Sequence, residues 1–135
     1  APIWSGAVGR ILMAEFSEQE YREVLNRSEL RAIARKTVVD EVELHDLVES
    51  TRVQGWCATE SETVDGASAT AAPIVDAGGK TIAALSLYAA ADRLPHILLL
   101  VPELTKAASD ASDAWASMAV FSQIHDDQKS LQEVI

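Results

Sequence analysis

The last third of the chain carries the most regular apolar pattern in the sequence. Its apolar residues recur at alternating steps of four and three, and they are Ile97, Val101, Leu104, Ala108, Ala111, Trp115 and Met118. This spacing places them on one face of an α-helix. The sequence therefore predicts a long helix after Pro95, with Pro102 in its first turn or at a kink. The polar stretch after Phe121 is expected to fray.

The first part of the chain predicts helices with recognisable starts. Small and apolar residues from Ser5 to Ala14 indicate a closely packed helix that begins at a tight turn. Ser17 followed by Glu20 is a capping-box pattern, and the helix that it begins is expected to end near Asn26.

The segment between residues 30 and 54 predicts one further helix of substantial length. Leu30 to Ala34 is expected to form a short helical turn, and residues 37–39 are expected to be extended. Asp40, with Glu43 three residues later, is the pattern of a helix N-terminus, so a third helix is expected from there.

The pattern changes to strands after Gly55. Three short segments rich in small and β-branched residues predict strands at 56–60, 68–75 and 81–88. The last two are joined by Asp76–Lys80, which contains two glycines and is typical of a hairpin turn. The predicted fold class is α+β, with an antiparallel sheet and helices packed mainly on one face.

Composition and charge restrict the classes of protein to which the chain can belong. With 135 residues and 48% hydrophobic residues, it is expected to form one domain over residues 1–135. The net charge of −10 opposes contact with nucleic acid. The single cysteine, Cys57, excludes an internal disulfide and fits a reducing cytoplasm. The longest apolar run, Ile97 to Val101, is too short to span a bilayer, so the sequence predicts a soluble cytoplasmic protein without membrane contact.

Candidate catalytic and metal-binding residues are few. The three histidines, His45, His96 and His125, are widely separated, so no metal site is predicted. Three carboxylates lie close together in sequence, at Glu60, Glu62 and Asp65. They are either an acid–base cluster or, more commonly for such a segment, a solvated face. Cys57 has no histidine near it in sequence, which favours a buried small residue over a nucleophile.

Ser5, Gly6 and Ala7 open the first predicted helix and allow two interpretations. The N–H groups at a helix start lack partners within the helix and carry positive partial charge, which suits a carboxylate or another anion. Small residues at this position also permit close helix packing without any ligand. The residues by themselves leave both interpretations open.

The stretch from Gly55 to Tyr88 resembles part of a known family. Gly55 and Glu62, the small residues Ala69 and Ala71, and then Ile74 and Asp76 follow the spacing of its signature. The upstream segment SGAVGRILMA and the Ala-rich segment after Leu94 agree with it. Together they resemble the effector-binding domain of IclR-type bacterial transcription regulators, over a region from about Pro2 to Trp115. The resemblance implies a GAF/profilin-like effector domain that senses a small molecule and carries out no reaction.

The resemblance also implies a ligand site. The residues that it assigns to ligand binding are Gly6, Ala7, Thr59, Ala69, Ser86 and Tyr88. In the family the pair matching Gly6 and Ala7 binds oxygen atoms of the effector, which is expected here to be a small organic acid or an aromatic metabolite. Thr59 stands where the family often has aspartate or serine, and Tyr88 where it usually has a small residue. Glu62 is expected to hold its loop in place, and no cofactor is implied.

Partners follow from the resemblance as well. Family members carry an N-terminal winged helix-turn-helix domain, and this sequence is expected to begin after that domain and after the first strands of the effector domain. Contact with DNA would then require the missing domain. A homodimer or homotetramer is expected, with the apolar face that includes Trp115 taking part. Two alternatives remain: a small enzyme that uses the carboxylates at 60, 62 and 65, and a dimerisation module that binds no ligand.

Overall fold

The computed structural model describes residues 1–134 and consists of five α-helices, a short 3-10 turn and three strands. In chain order they are α1 (Ala7–Glu15), α2 (Glu18–Asn26), α3 (Glu41–Gln54), β1 (Cys57–Glu60), β2 (Ala67–Val75), β3 (Thr81–Ala90), the 3-10 turn (Ala91–Arg93), α4 (Leu94–Leu99) and α5 (Val101–Val134).

The three strands form one antiparallel sheet in the order β1-β2-β3. The hairpin between β2 and β3 is closed by Asp76, whose backbone N–H donates to the carbonyl oxygen of Lys80 over 2.8 Å. The α+β class, the three strands and the hairpin are therefore confirmed.

Helices cover both faces of the sheet, whereas the sequence predicted them mainly on one face. On one side, α1 packs Ala7 and Ile11 against Ala69 and Ala71 of β2. On the other side, α5 packs Leu104 and Ala108 against Ala72. The reason lies in β2, which is buried at five consecutive positions, 68–72. Because alternate residues of a strand point to opposite faces, a continuous buried run requires cover on both sides.

The helices α2 and α3 form a further layer outside α1. Their cluster contains Trp4 and Met13 from the N-terminal segment and α1, together with Tyr21, Leu44 and Val48. This larger core packs against the side of α1 that faces away from the sheet, while the other side of α1 packs on the sheet. The layer order is therefore α5, sheet, α1, and then α2 with α3.

The predicted helix starts are confirmed at atomic detail. Ser17 Oγ accepts the N–H of Glu20 at 3.1 Å, and the Glu20 carboxylate accepts the N–H of Ser17 at 3.2 Å, which completes the capping box of α2. Asp40 caps α3 through the N–H of Glu43. The short helical turn predicted at Leu30–Ala34 is wrong, because the N–H of Ala34 donates to Thr37 Oγ1 instead of to a helical carbonyl.

The long C-terminal helix is confirmed, but its apolar face is covered only in part. Pro102 is the second residue of α5, where a missing N–H costs nothing. The buried part of the face ends near Ser112, whereas Trp115 and Met118 are 50% and 66% exposed. After Phe121, where fraying was expected, α5 continues as a helix to Val134.

Candidate functional site

The strand register aligns three of the predicted site residues across the sheet. Thr59 of β1 lies opposite Ala69 of β2, and Ala69 lies opposite Tyr88 of β3. Directly opposed residues point to the same face of a sheet. Because Ala69 faces α1, this row lies beneath the start of that helix.

A cavity of about 500 Å³ lies between this row and the start of α1. Its lining comes from the N-terminal segment, α1, the loop after β1 and the three strands. The residues that line it are Ala1, Pro2, Ile3, Ser5, Gly6, Ala7, Val8, Gly9, Leu12, Thr59, Glu62, Thr63, Val64, Ala67, Ser68, Ala69 and Tyr88. Its volume lies within the range of about 300–1,000 Å³ that is usual for small-molecule sites.

The start of α1 forms one wall of the cavity. Gly6 is the N-cap residue, with φ of 88° and no side-chain cap. Residues 6 to 9 all line the cavity. The first N–H groups of a helix have no partner within it and carry positive partial charge, so this wall favours an anion or a carbonyl oxygen.

The two glycines of this wall allow other backbone and side chains to come close. A Cβ at Gly6 would lie 2.7 Å from Thr63 Oγ1, and a Cβ at Gly9 would lie 1.9 Å from the carbonyl oxygen of Ile3. Both residues therefore need to be glycine for the N-terminal segment and the loop after β1 to meet α1. These contacts bring Ile3 and Thr63 into the cavity wall.

Five of the six predicted site residues line the cavity, and Ser86 does not. Gly6, Ala7, Thr59, Ala69 and Tyr88 are brought together there. Ser86 lies opposite Ala71, on the same face of the sheet but two residues further along. Its Oγ donates to the carbonyl oxygen of Thr70 at 2.8 Å, so its hydroxyl is already engaged.

Thr59 and Tyr88 give the cavity its polar groups on the sheet side, at two different depths. Thr59 is buried, whereas Tyr88 is 71% exposed. The larger side chain of Tyr88 therefore stands at the rim. A hydroxyl on the floor and a phenol at the mouth could both hydrogen-bond to a ligand that enters between them.

Glu62 lines the cavity, but its carboxylate is engaged in a buried ion pair. Arg10 Nη2 donates to its Oε1 at 2.9 Å and to its Oε2 at 3.0 Å, and the two side chains are only 4% and 11% exposed. The carbonyl oxygen of Glu62 accepts from Ser5 Oγ at 3.2 Å and from Thr37 Oγ1 at 2.7 Å. Glu62 thus connects the loop after β1 to the N-terminal segment, to α1 and to the segment before α3, which agrees with the structural role expected for it.

The other two carboxylates of the predicted acidic cluster also have partners. Glu60 pairs with the Lys36 ammonium. Asp65 accepts the backbone N–H of Arg35. Each of the three acids therefore fastens the end of β1 or the loop after it to another segment, and this geometry favours a structural interpretation over acid–base chemistry.

Nucleophile and metal chemistry find no support among the described residues. Cys57 Sγ donates to the carbonyl oxygen of Ala7, and burial raises the pKa of this thiol to about 12, so it stays protonated at neutral pH. Within residues 1–134, no three side chains of His, Cys, Asp or Glu come together to hold a metal ion. None of the described helices is both long and apolar enough to cross a membrane.

Several apolar residues that line the cavity were not identified from the sequence. Most of them belong to the N-terminal segment and to α1. They are Pro2, Ile3, Val8, Leu12 and Val64. Val8 and Leu12 are four residues apart on α1, so a helical projection that includes Ala7 could have identified them. The contribution of Ile3 depends on the close approach at Gly9 and has no local signal.

The chain is similar to a regulator family over most of its length. The family model described as "Bacterial transcriptional regulator IclR C-terminal" matches residues 1–114. The Pca regulon regulatory protein of Pseudomonas putida is 33% identical over 86 residues, which are 64% of this chain and 30% of that protein. The chain thus corresponds to under a third of this curated relative.

Solved structures agree in fold. An IclR transcriptional regulator from Alicyclobacillus acidocaldarius is similar with a TM-score of 0.78 at 27% identity, over 86% of this chain and 46% of that chain. A double mutant of the inducer-binding domain of PobR from Acinetobacter, in complex with 3-hydroxybenzoic acid, has a TM-score of 0.78 at 24% identity, over 83% of this chain and 66% of that chain. The second likeness concerns the fold alone.

Proposed function

The chain belongs to the IclR family of bacterial transcriptional regulators, as a C-terminal domain, and we propose that it senses a small organic acid in the cavity under α1. The single observation that carries the proposal is the cavity itself. Its wall is the uncapped start of α1, and its floor is the row formed by Thr59 and Ala69. A closed sheet face would instead have favoured a dimerisation module that binds no ligand.

The chemistry of the lining favours a ligand with one anionic end and an apolar body. A carboxylate at the start of α1 would accept charge-assisted hydrogen bonds, each contributing about 1.5–3 kcal/mol. Thr59 and Tyr88 would add neutral bonds of about 1 kcal/mol each. Ile3, Val8 and Leu12 supply apolar walls. These terms allow an affinity in the micromolar range, about −8 kcal/mol.

The solved relative with a bound ligand indicates which probes to use. The double mutant of the PobR inducer-binding domain is in complex with 3-hydroxybenzoic acid, a small aromatic acid with one hydroxyl group. A ligand of that kind matches the combination of an anion-binding wall and a phenol at the rim. We therefore take 3-hydroxybenzoate, benzoate and a short aliphatic acid as probes for this chain.

Occupancy of the cavity would act on DNA only in the whole regulator. Under this proposal the ligand shifts the population of a conformation that changes the affinity of a winged helix-turn-helix domain for DNA. Such a regulator works in the cytoplasm. The second partner of this chain would be another copy of itself, in a homodimer or homotetramer.

Thermal unfolding with the three probes tests the proposal. A ligand that binds only the folded chain should stabilise it by about 2.7 kcal/mol at a hundredfold excess over its Kd, which raises the Tm by several degrees. Calorimetry on Thr59→Val and Tyr88→Phe should then give an affinity two- to tenfold weaker, as expected for about 0.5–1.5 kcal/mol per lost hydrogen bond. If no acid of this size changes the Tm, the proposed site is wrong.

Ser86→Ala is the matched control for these variants. It also removes a single hydroxyl group, from the same face of the sheet, but that group donates to Thr70 and does not line the cavity. Its affinity for the probe should equal that of the unmodified chain. Equal losses in Thr59→Val and Ser86→Ala would indicate a general effect on the sheet and would contradict direct contact.

A further inference from the structure

The C-terminal half of α5 extends past the rest of the domain. Ser112 marks the point of departure, because its Oγ accepts the N–H of Val75 at 2.9 Å, next to the bulge in the β2–β3 ladder. Every described residue from Ser117 to Val134 is exposed. We call residues 115–134 the α5 extension. It lies outside residues 1–114, which match the family model.

The α5 extension carries an apolar row that does not continue the buried face of α5. Val120, Ile124, Leu131 and Val134 are exposed and, together with Asp127, follow alternating steps of four and three. We call these five residues the α5 seam. At about 100° per residue, the five seam positions lie roughly 80–160° around the helix from Ala108 on the buried face. The sheet of the same chain therefore cannot cover it.

Apart from Asp127 within the seam, the charged residues of the α5 extension lie where they would not oppose pairing of two copies. The residues beside the seam are uncharged, at Phe121, Gln123, Gln128 and Ser130. The charged residues Asp126, Lys129 and Glu133 lie on the outer side of the helix in the same heptad register. A chain with a net charge of −10 would otherwise repel a second copy.

A partner would also explain why this segment is helical. A helix without tertiary contacts is marginal in water, and most helical stability in proteins comes from packing of an apolar face. The α5 extension includes Val120, Ile124 and Trp115, which are weaker helix formers than alanine or leucine. We propose that two copies of this chain pair through their α5 seams. This inference rests on the proposed self-association and names the surface that performs it.

The available area fits a weak, specific dimer. At about 100 Å² of apolar surface for each of Val120, Phe121, Ile124, Leu131 and Val134, two copies would bury roughly 1,000 Å². That is near the lower limit of about 1,000–1,200 Å² for a specific interface. We therefore expect a dissociation constant in the range of about 10–100 μM.

Asp127 gives the seam a distinctive feature that can be tested. It is the one charged residue at a seam position, and in the monomer it accepts from Gln123 Nε2 at 3.0 Å. The apolar residues of the seam are arranged symmetrically around it. Both the parallel and the antiparallel pairing in this register therefore bring the two Asp127 side chains near each other, which weakens the dimer.

Sedimentation equilibrium of the full chain tests the proposal with two matched pairs of variants. Ile124→Asp should raise the dimer Kd at least about tenfold, because a charge would enter the apolar seam. Val53→Asp adds the same charge at an apolar side chain of α3 that is 88% exposed, and it should change the Kd by less than about twofold. Asp127→Asn should lower the Kd several-fold, whereas Asp126→Asn, on the outer side, should leave it unchanged.

The possible outcomes distinguish a dimer that forms through another surface from a chain that does not self-associate. If the dimer Kd is unchanged in Ile124→Asp, pairing through the α5 seam is contradicted, and another surface, such as the edge strand β3, would have to form the dimer. A chain that stays monomeric up to several hundred micromolar overturns both proposals. Ile124 is exposed and distant from the core, so the circular dichroism of the folded domain should match in all variants.

Discussion

At the scale of single residues, the ion pair between Arg10 and Glu62 is the most consequential contact. It joins α1 to the loop after β1 across 52 positions of sequence and is almost fully buried. Breaking a buried pair from one side leaves an uncompensated charge in a region of low dielectric constant. The pair therefore stabilises the cavity wall as a unit, and the identity of both partners matters.

The first prediction concerns Glu62→Gln. It removes the carboxylate and leaves the Arg10 guanidinium buried without its counter-charge, so the free energy of unfolding should fall by about 3 kcal/mol. Urea denaturation monitored by tryptophan fluorescence measures this loss. Glu60→Gln is the control, because its pair with Lys36 is partly exposed, with the two side chains 31% and 52% exposed, and should contribute less than about 1 kcal/mol. Similar losses in both variants would contradict the distinction between a buried and an exposed pair.

At the scale of elements, the cavity depends on how closely the N-terminal segment approaches α1. Gly9 makes that approach possible, since a side chain there would meet the Ile3 carbonyl. Gly55 is a glycine for a different reason: it ends α3 with φ of 82°, and no atom lies within 4 Å of a Cβ built there. One glycine is needed for space and the other for backbone conformation.

The second prediction compares Gly9→Ala with Gly55→Ala. Gly9→Ala should lower the free energy of unfolding by about 2–3 kcal/mol, because a backbone segment must move to accommodate the methyl group. Gly55→Ala should lower the free energy of unfolding by about 1 kcal/mol, because alanine adopts a left-handed backbone conformation less readily than glycine. Hydrogen exchange at the Ser5 N–H, which donates to Pro2, should speed up in Gly9→Ala only. Unchanged exchange there would show that the segment is not held against α1.

At the scale of the whole molecule, the layered core and the net charge have separate consequences for what the chain can bind. Helices cover both faces of the sheet and leave a cavity under α1, and the net charge of −10 opposes contact with phosphate groups. Two neighbouring basic side chains, Arg35 and Lys36, are also engaged locally. Arg35 donates to Ser61 Oγ and Lys36 pairs with Glu60.

The third prediction is that the 135-residue chain does not bind DNA. Neutralisation of phosphates by Lys and Arg supplies nearly all non-specific affinity, and this chain has 11 such residues against 21 acidic ones. A gel shift with the purified chain at micromolar concentration should show no complex, even at low salt. A basic DNA-binding domain run beside it serves as the positive control. A salt-sensitive shift by the chain itself would contradict this prediction.

The sequence by itself determined most of the local structure. The helix starts at Ser17 and Asp40, the hairpin at Asp76–Lys80 and the long C-terminal helix were all predicted and are confirmed. These features depend on side chains and backbone groups a few residues apart, so the information is contained in short segments. The turn predicted at Leu30–Ala34 failed because Thr37 competed locally for its N–H groups.

The family resemblance predicted five of the residues that line the cavity, but only the tertiary structure decided how they are arranged and which further residues join them. Alternation along a strand fixes which face a residue occupies, but the register between strands decides that Thr59, Ala69 and Tyr88 form one row. Ser86 points to the same face, and its hydroxyl is taken by a neighbouring strand. Likewise, the apolar face of α5 continues past Ser112 to Trp115 and Met118, and only the extent of the sheet decides that its burial ends near Ser112. Such contacts form between segments that are distant in sequence, and alternative partners compete for the same groups. A short stretch of sequence therefore does not determine them.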